Sequence, residues 1–325
     1  MKKILITGGA GFIASHLSKK ISNLKEYKIY VVDNLNNYYN KNLKKYRVKD
    51  LLKSKNIIFK KIDICNKLKI IELFKLNKFE YVFHFAAQAG VRYSIKNPKI
   101  YFENNIKGFF NILENSRIYK AKCLFFASSS SVYGDQKIFP INEEFNTNNP
   151  ESFYAATKKC NEIIAKSYSN IYNMRLIGFR FFTVYGSFGR PDMTPYVFLE
   201  KSRENKTINI FNKGIHERDF THINDVINYI IKIFEKQKKN KIKNNFEIFN
   251  VSKGKSEKLI KYITELESQV GRKFKKRFVK KQMGDVLKTF GDNSKIKKLT
   301  KYQPQMSLKD GLKEFLQWYK KYYNI

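Results

Sequence analysis

Short apolar runs alternate with amphipathic stretches along the first half of the chain. The apolar runs have the length of buried strands and lie at residues 4–6, 30–32, 57–59, 81–85, 124–126 and 175–182. Helical periodicity follows them after residue 11 and at residues 38–52, 67–76, 97–118 and 152–172. Strands that alternate with helices predict an α/β protein with a parallel, doubly wound sheet, whose ligands bind beyond the carboxyl ends of the strands.

The alternation weakens beyond Phe182. Glycine and proline at positions 186, 189 and 191 indicate a loop, followed by a predicted helix at 194–204 and a short strand at 208–211. Another strand is predicted at 246–250, and residues 308–323 have the periodicity of an amphipathic helix. We therefore predict two domains. The first is residues 1–182 with a returning strand near 246–250, and the second is a smaller α/β substrate domain at residues 183–325.

A glycine-rich turn joins the first predicted strand to the first helix, within Ile4–Leu17. Gly8 allows a tight turn, Gly11 leaves room for a pyrophosphate against the backbone, and the small Ala14 lets the helix pack closely on the strand. The first N–H groups of the helix, at Phe12 and Ile13, favour phosphate. Strand, turn and helix in this order predict a dinucleotide-binding Rossmann domain, although a lone glycine-rich turn also occurs without a ligand.

Asp33 ends the second predicted strand, about 20 residues beyond the turn. A carboxylate there accepts hydrogen bonds from the adenosine ribose and repels a 2′-phosphate, so NAD is predicted rather than NADP. The alternative is a turn residue at a strand end. Asp63 follows the third strand, where an adenine edge is expected. The other predicted NAD contacts are Asn34, Ile64, Phe85, Ala86, Ala87, Asn104 and Phe181.

Tyr154 and Lys158 are four residues apart, so the predicted helix places them on one face. The ammonium is expected to lower the pKa of the phenol, and a tyrosinate can take a proton from a substrate hydroxyl. Lys158 is also expected to bind the nicotinamide ribose, and Ser129, after the fifth strand, to hold the same substrate hydroxyl. A Tyr-x-x-x-Lys pair alone is commonly structural, but the glycine turn, Asp33 and the strand-end serine favour the catalytic interpretation.

Composition narrows the functional classes. The 325 residues suffice for one large or two modest domains, and the net charge is +36, from 64 Lys and Arg and 28 Asp and Glu. This charge admits nucleic-acid or anionic-membrane binding, but the lysines are spread along the whole chain, which favours a general compositional bias. We expect no nucleic-acid partner.

Cysteine usage and hydropathy indicate the compartment. Cys65, Cys123 and Cys160 are odd in number and far apart, which predicts a reducing cytoplasm without disulfides. No run of 18 apolar residues predicts a membrane span, and the first residues do not match a signal peptide. The four histidines lack the spacing of a metal site, so no metal is expected.

Several motifs together resemble a known family. TGGAGFI, Asp33, Tyr154-x-x-x-Lys158 and FRFFTVYG resemble the extended short-chain dehydrogenase/reductase family of nucleotide-sugar enzymes, over almost the whole chain. The stretches DNLNNYYN, AAQAGVRYS, ASSSSVYG, ESFYAATKK, FTVYGSFGRPDM, RDFTHI and GDVLKT are similar to those of bacterial UDP-glucuronate 4-epimerases. The chain departs from this pattern at Ala14, at Ser187 in place of a proline, and at Gln282, which lies near the usual arginine before Gly284 and Asp285.

The resemblance implies an NAD-dependent epimerisation at C4 of a UDP-hexuronate, UDP-glucuronate to UDP-galacturonate. Related dehydratases and decarboxylases carry a carboxylate where this chain has serines. The resemblance therefore disfavours loss of water or CO₂ and leaves oxidation to a 4-keto sugar followed by reduction from its other face. Helices near 104–118 and 152–172 correspond to those that pair in family homodimers. The residues that the resemblance assigns to the substrate are Arg92, Ser129, Ser130, Ser131, Thr183, Arg190, Arg218 and Asp285.

Two other functions remain open at this point. The same chemistry on a neutral sugar, UDP-glucose or UDP-N-acetylglucosamine, needs no group for a sugar carboxylate. A catalytically silent NAD-sensing or RNA-binding protein could use the basic surface, although the presence of both Tyr154 and Lys158 argues against a silent protein.

Overall fold

The structure, a computed structural model, describes residues 1–280 and 285–325. Its strands are β1 (Lys2–Thr7), β2 (Tyr27–Asp33), β3 (Ile57–Lys61), β4 (Tyr81–His84), β5 (Cys123–Ser129), β6 (Leu176–Phe181), β7 (Thr183–Tyr185), β8 (Ile208–Phe211), β9 (Glu217–Arg218), β10 (Phe220–His222), β11 (Phe246–Val251), β12 (Glu257–Lys258) and β13 (Lys276–Val279).

The α-helices are α1 (Phe12–Ile21), α2 (Lys41–Leu51), α3 (Lys67–Asn77), α4 (Val91–Lys96), α5 (Pro98–Tyr101), α6 (Gly108–Ile118), α7 (Phe153–Tyr172), α8 (Thr194–Arg203), α9 (Ile223–Lys238), α10 (Leu259–Val270), α11 (Ser294–Thr300) and α12 (Leu308–Tyr323). A π-helical turn (Phe102–Lys107) joins α5 to α6. Two 3-10 turns follow strands, Ser130–Tyr133 after β5 and Asn212–Gly214 after β8.

Seven strands form one sheet in the order β3-β2-β1-β4-β5-β6-β11. The five pairs from β3 to β6 are parallel. The chain runs outward from β1 to β3 and then returns to β4 beside β1, so the strand order reverses between β1 and β4. This topology confirms the predicted α/β, doubly wound sheet, and its ligand site is expected beyond the carboxyl ends of the strands at that reversal.

The sheet interior explains why its strands are continuous apolar runs. Helices cover both faces of a parallel sheet, so consecutive side chains are buried rather than alternate ones. The Phe83 and Phe125 rings of adjacent strands stack 4.5 Å apart, and Phe234 of α9 contacts both of them edge-on. This packing fixes β4 and β5, whose carboxyl ends carry predicted site residues.

The described residues form two compact units. The first comprises residues 1–134, 146–181 and 230–249, and the second comprises residues 135–145, 182–229 and 250–325. The sequence prediction divided the chain once, at residue 182, with 246–250 returning to the first domain. In the structure, the excursion at 135–145 belongs to the second unit, and residues 230–249, including most of α9, belong to the first.

Some predictions of element bounds and of helix type were wrong for local reasons. Helix α2 begins at Lys41 rather than at 38, because the Asn40 side chain accepts from the Asn42 N–H (2.8 Å) and caps the helix there. Strand β5 continues past residue 126 because it pairs with β6 up to Ser129. The predicted helix at 97–118 contains the π turn.

Some helices were not predicted at all, namely α4, α9, α10 and α11.

Within residues 1–280 and 285–325, no helix is long and apolar enough to cross a membrane. The same residues contain no group of three His, Cys, Asp or Glu side chains placed to hold a metal ion.

Candidate active site

The glycine-rich turn lies between β1 and α1 and has no room for side chains. Gly8 has φ +72°, and a Cβ there would lie 2.7 Å from the backbone nitrogen of Ala86 at the end of β4. The Gly11 N–H donates to the Gly8 carbonyl (2.8 Å), and a Cβ on Gly11 would lie 2.7 Å from that same oxygen. Helix α1 then begins at Phe12 and Ile13 without a side-chain cap, so its first N–H groups remain available to a ligand.

Asp33 ends β2 beside this turn. Its carboxylate accepts from the Ala10 N–H (3.1 Å) and from the Leu35 N–H (2.8 Å). Burial raises the pKa of this carboxyl, while the two N–H groups and the nearby Lys44 and Arg47 cations act in the opposite direction. Asp33 therefore orders the turn, and its contact with the ribose remains a prediction.

Two buried cations of α2 support the same corner. Arg47 donates through Nη1 to the Ala10 carbonyl (2.8 Å) and to the Tyr39 hydroxyl (2.6 Å). Lys44 donates to Asn36 through its backbone and side-chain oxygens (3.0 and 2.7 Å). The sequence analysis missed both residues, and their only sequence signal was two charges on the buried face of a predicted amphipathic helix.

Asn34, Asp63 and Ile64 line the next part of the strand-end surface. Asn34 Nδ2 donates to Asp63 Oδ2 (2.9 Å), and Asp63 Oδ1 accepts from the Cys65 N–H (2.8 Å). The Ile64 side chain is buried, and its carbonyl accepts from Asn111 of α6 (2.9 Å). The structure thus brings together Asp63, predicted at the adenine edge, and the predicted NAD contacts Asn34 and Ile64.

These features fit an NAD molecule. A Cβ would fill the space at Gly8 and Gly11, the α1 N-terminus has N–H groups for the pyrophosphate, and Asp33 lies where the ribose hydroxyls are expected. Gly8, Gly11, Phe12, Ile13 and Asp33 would hold the adenosine diphosphate half. That assignment remains a prediction for each residue.

Removing the Asp33 carboxylate tests this arrangement. We expect Asp33→Ala to weaken NAD binding and to reduce the preference for NAD over NADP, because the Lys44 and Arg47 cations then face a 2′-phosphate without the opposing charge. Titration of the cofactor-free protein with both dinucleotides measures the two affinities. Asp33→Asn, which keeps one acceptor for the turn, separates charge from turn order. Unchanged affinities in both variants would refute the ribose assignment.

The carboxyl end of β4 is held by a small polar network. Thr7 Oγ1 lies 2.8 Å from His84 Nδ1 and accepts from the Ala86 N–H (3.2 Å). Burial lowers the pKa of His84 to about 3, with a smaller contribution from Lys158, so the imidazole is neutral at ordinary pH. The predicted NAD contacts Phe85, Ala86 and Ala87 follow directly, and Phe85 packs edge-on against the predicted contact Phe181 (5.7 Å between centroids).

Asn105, in the π turn, is a candidate site residue that sequence reasoning missed. Its side chain accepts from the Gln88 N–H (2.8 Å) and donates to the Gln88 carbonyl and to Thr157 Oγ1 (both 3.0 Å). The predicted residue, Asn104, instead donates to the Ile100 carbonyl of its own helix (2.8 Å). π turns are frequent at functional sites. Only the adjacent asparagine pair in a predicted helix could have signalled it.

Tyr154, Lys158 and Ser129 lie on α7 and at the end of β5. Lys158 is almost fully buried, and its Nζ donates to the Ala127 carbonyl, two residues before Ser129 (2.9 Å). Burial lowers the pKa of Lys158 to about 8, and the Glu162 carboxylate opposes that shift. The Tyr154 N–H donates to Ser94 Oγ (3.1 Å), which fixes the first turn of α7.

The four consecutive serines Ser128, Ser129, Ser130 and Ser131, which we call the serine run, lead from β5 into a tight turn. Ser129 Oγ accepts from the Ser131 N–H (3.2 Å) and lies 2.9 Å from Ser131 Oγ, so it caps the 3-10 turn at Ser130–Tyr133. All three predicted serines, Ser129, Ser130 and Ser131, are half-buried. Arg92, the remaining predicted residue of the first unit, is exposed on α4.

Within the second unit, Arg218 lies beside the segment that carries Asp285. Its guanidinium donates to the carbonyls of Glu217 (2.8 Å), Val286 (2.8 Å) and Leu287 (3.1 Å). The neighbouring Asp219 is buried and accepts from the backbone N–H groups of residues 253 (2.8 Å) and 254 (3.0 Å). Burial raises its pKa to about 6. Gln282 and Gly284 lie outside the described residues.

Arg190 and Thr183 belong to the same unit. Arg190 binds Asp192 through two hydrogen bonds, from Nε (2.9 Å) and Nη2 (2.6 Å). Thr183 begins β7, where its N–H donates to the Asp219 carbonyl (3.1 Å). Ser187, where the family usually has proline, is 3.2 Å from Glu314 Oε1 and donates to it, so the departure adds a tie to α12.

The doubly wound sheet, its glycine turn and the Tyr154–Lys158 pair on α7 define a dinucleotide-binding enzyme of the extended short-chain dehydrogenase/reductase class. The sequence model of the family described as GDP-mannose 4,6 dehydratase matches residues 5–315. The chain therefore belongs to that family.

Named relatives of this chain include nucleotide-sugar epimerases. An uncharacterized protein of Methanocaldococcus jannaschii is 41% identical over 98% of this chain and 96% of its own length. UDP-glucuronate 4-epimerase of Thermodesulfobacterium geofontis is 39% identical over 97% of this chain and 95% of its own. The solved UDP-glucuronic acid 4-epimerase of Bacillus cereus, in complex with UDP-glucuronic acid and NAD, superposes with a TM-score of 0.91 at 31% identity, covering 99% of this chain and all of that one.

Proposed function

We propose that the protein is an NAD-dependent epimerase that interconverts UDP-glucuronate and UDP-galacturonate at C4. One observation carries the proposal. The glycine turn after β1 contacts the chain just beyond β4, and Lys158 of α7, the helix that also carries Tyr154, bonds the end of β5 near Ser129. The named relatives with UDP-glucuronate 4-epimerase activity, aligned along nearly the whole chain, support it.

Three side chains supply the acid–base chemistry. Tyr154 takes the proton of the C4 hydroxyl and later returns it, with Ser129 holding the same oxygen. The Lys158 ammonium stabilises the tyrosinate by its charge and binds the nicotinamide ribose. A bound NAD would supply the acceptor for the C4 hydride and return the same hydride, so the cofactor would be regenerated in each cycle. Rotation of the 4-keto sugar between the two steps presents its opposite face to the cofactor, and reduction at that face produces the epimer.

The serine run distinguishes epimerisation from dehydration and decarboxylation. Loss of water or CO₂ needs a further acid or base beside the ring, and Ser129, Ser130 and Ser131 are not carboxylates. The preceding serine, Ser128, donates to the carboxylate of Glu162, which is buried and bound by the Arg180 guanidinium through two bonds of 2.8 Å. Both oxygens of this buried carboxylate are held by Arg180, so it is not free to contact the sugar, and epimerisation is favoured over the reaction in the family's description.

A panel of UDP-sugars tests the proposal. The purified protein is incubated with UDP-glucuronate, UDP-glucose and UDP-N-acetylglucosamine, and the epimers are resolved by NMR. We expect UDP-galacturonate from the first, with NAD retained by the protein and no net absorbance of reduced cofactor. Stoichiometric release of reduced cofactor would make the protein a dehydrogenase, and preferential turnover of UDP-glucose would favour the neutral-sugar alternative.

We further infer a homodimer, because two neighbouring helices carry exposed apolar side chains. Phe110 and Ile118 are eight residues apart on α6, and Ile163 and Ile171 are eight residues apart on α7, so each pair lies on one helix face. All four are between 45% and 67% exposed. Such a surface fits a two-fold, self-complementary interface.

Light scattering at micromolar concentration measures the assembly. We expect a mass near twice that of the 38.5 kDa chain, and we expect Ile163→Glu to shift the protein toward monomer by burying an unpaired charge at the interface. Ile138→Glu, at a residue that is 71% exposed in the second unit, is the matched control. A monomeric wild type excludes the dimer.

Cysteine environment supports a cytoplasmic location as part of the proposal. Cys65, Cys123 and Cys160 are all free thiols. Burial raises the pKa of each, that of Cys65 to about 12, so the thiols are poorly reactive. A reducing compartment fits this state.

A further inference from the structure

A buried polar network lies directly behind the proposed catalytic residues. Ser128 Oγ donates to Glu162 Oε1 (2.6 Å), and Arg180 donates to both Glu162 oxygens from Nε and Nη2 (2.8 Å each). The third guanidinium nitrogen, Nη1, donates to the Tyr133 hydroxyl (2.9 Å). The four residues are at most 5% exposed, and we call them the buried tie.

The buried tie joins three elements that carry site residues. Glu162 lies on α7, one turn beyond Lys158 and two turns beyond Tyr154. Ser128 precedes Ser129 on β5, and Tyr133 ends the 3-10 turn that follows it. Arg180, on β6, is the register partner of Ser128. The helix residue Glu162 thus bonds Ser128 directly and is linked to Tyr133 through the Arg180 guanidinium.

The chain does not join the serine turn to α7 by a short loop. Residues 1–134 and 146–181 belong to the first unit, whereas the segment 135–145 between them belongs to the second. The serine turn and α7 are therefore not held in register by a short loop within the first unit. A rigid, fully desolvated ion pair with hydrogen bonds at both ends supplies a fixed geometry.

We infer that Glu162 and Arg180 are positioning residues, which hold Ser129 at the working distance from Tyr154 and Lys158. This inference rests on the proposed epimerase function. Burial of the pair is weak evidence for stability, because well-packed apolar replacements of buried ion pairs are often neutral or stabilising. A structural purpose alone therefore gives little reason for four buried polar side chains at this place.

The charge of Glu162 adds a second effect. Lys158 is faced by Glu162 on its own helix, by the Ala127 carbonyl of β5 and by the neutral His84 of β4, and Arg180 lies beyond Glu162. Burial lowers the pKa of Lys158 to about 8, and Glu162 opposes this shift. Without that carboxylate, the pKa of Lys158 is expected to fall further. The activity that needs the charged lysine would then be lost at a lower pH than in the wild type as the pH is raised.

Three variants separate geometry from charge. Glu162→Gln removes the charge and leaves Arg180 unpaired, so we expect kcat to fall about 10- to 100-fold with KM within about twofold. In this variant the alkaline limb of the pH profile moves to lower pH. Arg180→Lys keeps the positive charge but loses the two parallel hydrogen bonds to Glu162. We therefore expect kcat to fall while the alkaline limb of the pH profile stays where it is in the wild type. The double variant Glu162→Leu with Arg180→Met removes both charges, and we expect a folded protein with reduced kcat.

A matched control and a second readout complete the test. Glu267, buried in the second unit, accepts from Lys276 Nζ and the Phe274 N–H (2.8 and 2.6 Å), so Glu267→Gln also breaks an ion pair with a buried carboxylate. We expect it to lower the melting temperature and leave kcat unchanged. The Lys158 pKa is followed by NMR of ¹³C-lysine-labelled protein, with Lys158→Met as assignment reference, and we expect a lower value in Glu162→Gln.

The outcomes are distinct. Wild-type kcat in the folded double variant would overturn the inference. So would a loss of activity in Glu162→Gln that is fully explained by a smaller fraction of folded protein, the effect that Glu267→Gln is designed to show. An unshifted Lys158 resonance in Glu162→Gln overturns its electrostatic part. A wild type inactive on every UDP-sugar refutes the proposed function. The NMR titration needs no turnover, so the Lys158 pKa in Glu162→Gln still supports or overturns the electrostatic part of the inference in that case.

Discussion

We expect Tyr154→Phe to lower kcat by about 10²- to 10⁴-fold, which is the usual cost of losing a positioned general base. The substitution keeps the aromatic ring and its edge-on contact with Tyr101 (6.0 Å between centroids), so packing on α7 is retained. Only the hydroxyl that takes the proton is removed. Binding is expected to change little, because uridine and the diphosphate supply most of the substrate contacts.

A second tyrosine on the same helix provides the control. The Tyr168 hydroxyl donates to Glu114 Oε2 (3.0 Å) on α6, away from the serine run, so Tyr168→Phe removes the same atom without removing a proposed catalytic group. We measure kcat, KM for UDP-glucuronate and bound NAD for both variants. Near-normal turnover in Tyr154→Phe, or equal loss in both, contradicts the assignment of the base.

The structure shows how the first turn of α7, which carries Tyr154, is held. The Ser152 side chain accepts from the Ala155 N–H (3.1 Å) and begins α7 one residue before Phe153. Ser94 accepts from the Tyr154 N–H and ties this first turn to α4. Lys158 then lies one turn farther along, with its ammonium directed to the end of β5.

The strands and the glycine turn were predictable because local rules determine them. Buried parallel strands are continuous apolar runs, and the turn needs glycine wherever a Cβ would meet the backbone, as at Gly8. The position of Asp33 at the end of β2 was predictable from its distance from the turn. The helix at 223–238 also had a clear apolar periodicity, at Ile223, Val226, Ile230 and Phe234, and was overlooked among short predicted elements.

Contacts between distant positions could not be predicted. Arg180 is one charge within an apolar strand, and nothing near it in sequence shows that Glu162 and Tyr133 are its partners. Asn105 looks like any polar residue in a helix until the π turn directs it at Gln88 and Thr157. Such residues are defined by which elements pack together, and that information is absent from local periodicity.

Arg190→Leu is expected to discriminate between the acidic and the neutral sugar. A guanidinium binds a carboxylate through two parallel hydrogen bonds, and Arg190 makes that contact with Asp192 in this structure. If the substrate carboxylate takes this place, losing the fork removes about 1.5–3 kcal/mol of charged hydrogen bonding. We therefore expect kcat/KM for UDP-glucuronate to fall about 10- to 100-fold, with less than about threefold change for UDP-glucose.

Asp192 and Arg203 sharpen this comparison. Asp192→Asn removes a competing carboxylate from Arg190, so KM for UDP-glucuronate should fall or stay constant while Arg190→Leu raises it. Arg203 pairs with Glu200 one turn earlier on α8 (3.1 Å), and Arg203→Leu controls for the loss of a guanidinium in the same unit. Steady-state rates on both sugars decide the matter. Equal losses on UDP-glucuronate and UDP-glucose in Arg190→Leu would mean that this arginine does not recognise the sugar carboxylate, and the neutral-sugar epimerase would then become the better account of the site.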